Sequence, residues 1–233
     1  MLNELDLATR MMCMMSGKSQ REIESDIIGN FNQYKDIFKD YLTITCVPSG
    51  AVSAREYVDW MLQRIDEYDV LMIDYYSNFA QDDNRSMYTN GGDICDALTE
   101  LTRKGKLVFL AAQPNKSYWS DEWLPYDCIG ESSRIQHIAD MIITIGRRWE
   151  AGMPMGKINL GKNRKGTETA EANYIRTNDG LFYPCSDALY IKYRSNKQQR
   201  HLYSYAELKM MDIIDESITS QLTDTLEIKE EEK

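Results

Sequence analysis

Asp74 closes the run Val70-Leu71-Met72-Ile73-Asp74, in which nothing polar precedes the carboxylate. Such a run reads as a strand buried on both faces, the pattern of a central strand in a helix-covered parallel sheet. A carboxylate at the carboxyl end of that strand lies where α/β folds bind ligands, and in nucleotide hydrolases it helps hold Mg²⁺. A buried strand that simply ends in Asp is the plain alternative, and the strand alone does not choose between them. Gln113 ends a second apolar run, residues 106–113 (KLVFLAAQ). Its amide can both donate and accept, in a ligand site or merely to the local backbone. Lys162 and Arg164 stand two apart on a predicted strand, so they point to the same face. Taken alone, the segment KNRKG reads as a basic turn in solvent.

Other chemistries find less support. Ser16-Gly17-Lys18-Ser19 has the ending of a phosphate loop, but G-x-x-x-x-G-K-S/T needs glycine at position 12, where Met12 stands. No strand precedes it, so a helix–helix turn is expected. No other G-K-S/T occurs in the sequence. Cys13, Cys46, Cys95, Cys128 and Cys185 form no C-x-x-C pair, and His137 and His201 lie far apart. The cysteines read as reduced thiols of a cytoplasmic protein and not as zinc ligands. The net charge of −10 argues against a general nucleic-acid coat, although it leaves room for a local basic groove. With 233 residues, 42% of them hydrophobic, the chain can bury one good core. No apolar run approaches the roughly 20 residues of a membrane span, and no signal peptide is visible, so no membrane association is expected.

The elements that must position these groups follow from periodicity. Residues 3–16 and 19–40 have helical spacing, and residues 41–47 (YLTITCV) read as a β-branched strand. Ser53 with Glu56 forms a capping box ahead of a helix that leads into the central strand. Residues 78–92 form a long polar loop, residues 93–104 a helix, and residues 114–130 a second long loop. Residues 135–139 form a short helix and residues 140–146 a third buried strand. Strand–crossover–strand passages with helices between them imply an α/β fold, a mostly parallel sheet with helices on both faces. Beyond it come a short strand at 157–161, a β-hairpin over 180–193 and a helix over 205–222. Residues 227–233 make an acidic tail.

The order of these features is more informative than any one of them. Ile73-Asp74-Tyr75, Ala111-Ala112-Gln113, Glu131-Ser132-Ser133-Arg134-Ile135 through Ala139-Asp140, and Lys162-Asn163-Arg164-Lys165-Gly166 follow one another. This succession resembles the RecA-like motor domain of DnaB-family replicative hexameric helicases, particularly those of tailed phages. The likeness covers roughly residues 1–170. It departs at Ser133, where the family has glycine. It departs also at the front, where the family's Walker A loop and catalytic glutamate precede the helix corresponding to residues 3–16.

The resemblance implies a partial RecA-like motor over residues 1–222, lacking the first P-loop strand–helix unit, and a disordered acidic tail at 223–233. It implies ATP and Mg²⁺ as cofactors. Asp74 would hold Mg²⁺, with Tyr75 beside the nucleotide and Gln113 at the γ-phosphate or attacking water. Lys162 and Arg164 would reach into the next protomer's site as a trans-acting finger. Arg85, Lys116, Glu131, Ser132 and Arg134 would track single-stranded DNA in the central channel. Trp119 and Trp123 would stack on bases or, the plainer reading, be buried at an interface. The implied activity is that of a 5′–3′ replicative DNA helicase and ATPase, inactive without a Walker A-bearing polypeptide or amino-terminal half. The implied partners are sister subunits in a hexameric ring, and a primase or helicase loader. Three other readings fit the same residues: a non-catalytic RecA-fold subunit that binds DNA or braces a ring, a RadA-like strand-exchange ATPase, or an interaction module acting through its acidic tail.

Overall fold

The computed structural model describes residues 4–82, 84, 86–129, 133–147, 155–166, 170–176, 182–194 and 205–210. The chain divides into two units that interleave along the sequence. One comprises Met1–Ile44, Arg147–Ile158 and Glu171–Lys233; the other comprises Thr45–Gly146 and Asn159–Ala170.

The first unit opens with α1 (Glu4–Ser16), α2 (Gln20–Ser25) and α3 (Ile27–Tyr41). Met12, Cys13 and Ile23 are buried among them, with Ile27, Tyr34 and Phe38 packed around. Gly17 adopts φ +65°, a conformation that favours glycine, and its N–H donates to Cys13 O at 2.9 Å, stopping α1. Ser19 caps α2 in a reciprocal box with Glu22. Lys18 Nζ donates to Asn30 Oδ1 at 2.8 Å. The Ser16–Ser19 segment is therefore a helix–helix turn. The single helix expected over 19–40 is broken at Asp26, whose carboxylate accepts from Gly29 N at 3.0 Å and starts α3.

Residues 41–47 are not a strand: Tyr41 ends α3 and residues 42–47 carry no regular structure. A β-branched run needs a pairing neighbour, and none is present among the described residues.

The second unit begins with α4 (Ala54–Leu62), capped by Ser53 and Glu56 as expected. It continues through β1 (Val70–Ile73), α5 (Met87–Arg103), β2 (Leu107–Leu110), α6 (Ser133–Ile138) and β3 (Met141–Ile145). β1 and β2 pair in parallel, with Ile73 opposite Leu110. Val58, Met61, Leu71, Ile94, Leu98, Leu101 and Ile135 form the core. The helix expected at Asp93 starts earlier, because Ser86 Oγ accepts from Thr89 N at 3.1 Å and caps α5. Gly92 thus lies inside a helix, where a Cβ would fall 2.3 Å from Arg134 Cδ.

The central strands are not buried on both faces. Leu71, Ile73, Val108 and Leu110 belong to the core beneath α4, α5 and α6, whereas Val70, Met72, Leu107 and Phe109 are exposed. Nothing described covers that second face.

A second sheet has four strands in the order β3-β4-β5-β6, with β4 (Met155–Asn163), β5 (Ala170–Arg176) and β6 (Phe182–Cys185). β5 and β6 are antiparallel. The hairpin expected over 180–193 is instead β6 followed by helix α7 (Asp187–Arg194). Asn173 holds the Asp187 carboxylate, and Ser186 O accepts from Tyr190 N at 2.9 Å, turning the chain into α7. Met155, Ile175, Tyr190 and Leu208 bury together in the first unit, Leu208 coming from α8 (Tyr205–Met210). The rest of the expected 205–222 helix and the acidic tail lie outside the described residues. Among the described residues, no helix is long and apolar enough to cross a membrane.

Candidate nucleotide site at the strand ends

All described candidates for chemistry belong to the second unit. β1 and β2 end side by side, and their continuations stay joined: Ala111 N donates to Ile73 O at 2.9 Å, and Tyr76 N donates to Ala111 O at 3.0 Å. Asp74 and Gln113 follow at the same end of this parallel pair. Both are exposed. Neither the Asp74 carboxylate nor the Gln113 amide has a side-chain partner among the described residues, so each is available to a ligand. Tyr75 is half-buried, the next residue, Tyr76, is buried, and the Asp74–Tyr75 peptide bond is cis. The segment behind Asp74 is fixed: Asn78 Nδ2 donates to Asp74 O at 3.2 Å, and Gly50 N donates to Asn78 O at 2.9 Å. A carboxylate on a fixed rim suits a hydrated divalent cation, and the neighbouring amide suits a phosphate oxygen or water. Among the described residues no three His, Cys, Asp or Glu side chains cluster as ligands.

Lys162 and Arg164 do lie on one side of the chain, and both are engaged. Lys162 Nζ donates to Gln136 O, and to His137 O at 3.2 Å. Arg164 donates to the same His137 O and, at 3.0 Å, to Asp140 Oδ1. Its backbone N–H also donates to Asp140 O at 3.0 Å. The pair therefore covers the carboxyl end of α6, where carbonyls lack helical partners and the helix dipole is negative. Desolvation, with Arg164 nearby, pushes the Lys162 ammonium below the usual lysine range, against the opposing pull of Asp140.

The residues expected at DNA divide. Lys116 is exposed on a short 3-10 turn after Gln113. Arg134 is tied to α5, paired with Asp96 and, at 3.8 Å, with Asp93. Arg85, Glu131 and Ser132 lie outside the described residues. Trp119 and Trp123 are 53% and 42% exposed in the single chain, and Trp119 Nε1 donates to Pro114 O at 3.1 Å.

Sequence reasoning missed what anchors the loop 114–129. Thr144 Oγ1 and Asn159 Nδ2 both donate to Leu124 O, at 2.7 and 3.2 Å. Gly146 lets the loop approach so closely that a Cβ there would lie 2.4 Å from Glu122 O. Asn115 N donates to Cys128 O at 2.8 Å and closes the loop's base. The signal was a polar residue flanked by aliphatic ones in each of two strands, Thr144 between Ile143 and Ile145 and Asn159 between Ile158 and Leu160. Asp140 was also missed as a partner of the basic pair.

No protein-family model and no curated protein sequence matches this chain. Solved structures do. One is a DnaB-like replicative helicase, described with its interactions with primase, at TM-score 0.60 and 13% identity. That likeness covers 78% of this chain and 49% of that one, so the chain spans about half the helicase's length. Another is a separately solved ATPase domain, at TM-score 0.62 and 14% identity, covering 78% of this chain and 70% of that domain. The fold is RecA-like. At such identities the likeness concerns architecture only.

Proposed function

We propose that this chain forms the carboxyl-terminal part of the ATP-driven motor of a replicative DNA helicase. The observation that carries the reading is the placement of Asp74 and Gln113, without side-chain partners, at the adjacent carboxyl ends of a parallel strand pair in a helicase-type fold. Asp74 holds Mg²⁺ through water, with Tyr75 beside the nucleotide, and Gln113 senses the γ-phosphate. Lys162 and Arg164 act in trans on the triphosphate of a neighbouring subunit in a ring, hexameric as in the DnaB family. A cation supplied in this way neutralises charge that develops in the transition state. Arg85, Lys116, Glu131, Ser132 and Arg134 contact single-stranded DNA, and a primase or loader docks on the assembled ring.

Polypeptide outside this sequence supplies the phosphate loop. Three findings support that part. The sequence holds no complete G-x-x-x-x-G-K-S/T. The parallel strands β1 and β2 leave Val70, Met72, Leu107 and Phe109 in solvent, whereas parallel sheets bury both faces. The match also leaves part of the similar ATPase domain without a counterpart here.

The test measures MgATP hydrolysis by the purified chain alone and with a polypeptide bearing the phosphate loop. Activity is expected only from the combination. Arg164→Ala should then lower it by on the order of 10³-fold with assembly intact. Robust hydrolysis by the chain alone contradicts the reading. A non-catalytic, ring-bracing RecA-fold subunit is favoured by one observation, the occupation of Lys162 and Arg164 by α6. Full activity of the Arg164→Ala assembly would select it.

A further inference from the structure

α6 is only six residues long, Ser133–Ile138, too short to be stable without tertiary ties. Described ties act at both ends. At its start Arg134 is held by Asp93 and Asp96 of α5 and lies across Gly92. At its finish Lys162 and Arg164 donate to Gln136 O and His137 O, and Asp140 accepts from Arg164. A carboxylate and two helix-terminal carbonyls, converging on one ammonium and one guanidinium, present the same kind of acceptors as a phosphate group. The donors of a guanidinium are held in one rigid planar fork, so turning Arg164 toward a phosphate in place of Asp140 takes it off these acceptors.

We propose that the carboxyl end of α6, with Asp140, is an intramolecular seat that competes with phosphate oxygens for Lys162 and Arg164. Capture of a polyphosphate by the pair then uncaps α6 and loosens the segment that begins at Arg134. Asp140 is a positioning residue: it aims the Arg164 guanidinium while the seat is occupied. The proposal rests on the reading that this pair meets a phosphate. It adds that the encounter is transmitted through α6.

The experiment follows amide exchange of residues 133–140 in the full chain, with inorganic tripolyphosphate against sodium chloride at equal ionic strength. In the wild-type chain tripolyphosphate should accelerate exchange by roughly fivefold or more, the scale of losing cations from a helix terminus. Lys162→Ala/Arg164→Ala should already exchange at the faster rate and should not respond. Asp140→Asn should shift the response to lower tripolyphosphate concentration, an effect that a purely structural role would not produce. Arg164→Lys, which keeps charge but loses the fork, guards against misfolding of the double variant and should respond with reduced amplitude. An unchanged wild-type exchange rate overturns the proposal, as does a double variant that protects α6 fully. If α6 stays silent while Arg164→Ala still abolishes hydrolysis in the completed motor, the seat fails and the finger stands. If α6 responds and hydrolysis is untouched, the seat stands and the finger fails.

Discussion

The β1–β2 pair has two apolar faces with opposite surroundings. On one, Leu71 is 8% exposed and packs with Val58, Leu98 and Leu101 beneath α4 and α5. On the other, Met72 is 79% exposed although it is the next residue along. The strand's alternation sends neighbours to opposite sides, so the difference lies in what covers each side and not in residue type. β3 repeats the pattern: Ile142 and Thr144 are buried, while Met141, Ile143 and Ile145 are exposed. Large aliphatic and aromatic side chains exposed together on one sheet face, as on β1–β2, mark a surface made to be covered. The covered face therefore reports on the fold of this unit, and on the proposed reading the bare face is where the phosphate-loop polypeptide packs.

The sharpest way to break this contrast is by truncation on the covered side. Leu71→Ala should lower unfolding stability by about 2–5 kcal/mol, the cost of a cavity that its neighbours cannot fill. Urea denaturation of the purified chain measures it, and a loss under about 1 kcal/mol would show that this face is not a formed core.

A smaller effect should come with alkali, again from the covered side. Burial pushes the Cys95 thiol up to about 11, with Asp96 adding to the rise, and burial pushes the Tyr57 phenol up to about 12. Both groups are neutral when protonated, and the unfolded chain ionises first. Their contribution is therefore complete below the unfolded value of 9.0 for the thiol and is lost as pH rises toward 11. Cys95 accounts for up to about 2 kcal/mol of that loss. Denaturation midpoints at about pH 8 and about pH 10.5, on either side of the thiol's unfolded value, should separate in the wild-type chain and separate less in Cys95→Ala, where Tyr57, Cys128 and Cys185 still contribute. The same burial keeps this thiol protonated at neutral pH, so it is no nucleophile.

The smallest effect belongs to the bare face. Met72→Ala should change the stability of the chain alone by less than about 0.5 kcal/mol. On the proposed reading, the same substitution should weaken association with a phosphate-loop polypeptide, read as a higher dissociation constant in titration calorimetry. A substantial stability loss in the isolated chain would mean that the face is already covered, and the contrast would dissolve.

The sequence alone determined the local grammar of the molecule. Gly17 with Ser19 and Glu22, and Ser53 with Glu56, set helix boundaries through contacts within a few residues. The apolar runs ending at Asp74 and Gln113 placed two candidate side chains at strand ends, because a run and its polar stop are readable without knowing any neighbour. Tertiary structure decided what depends on partners distant in sequence. Residues 42–47 have strand propensity but no described neighbour to pair with, and residues 187–194 become a helix once Asn173 and Ser186 fix its start. Lys162 and Arg164 read as free basic groups until the end of α6, far earlier in the chain, is found to occupy them. Burial and hydrogen bonding are properties of pairs, and the pairs that matter here join residues the sequence keeps far apart.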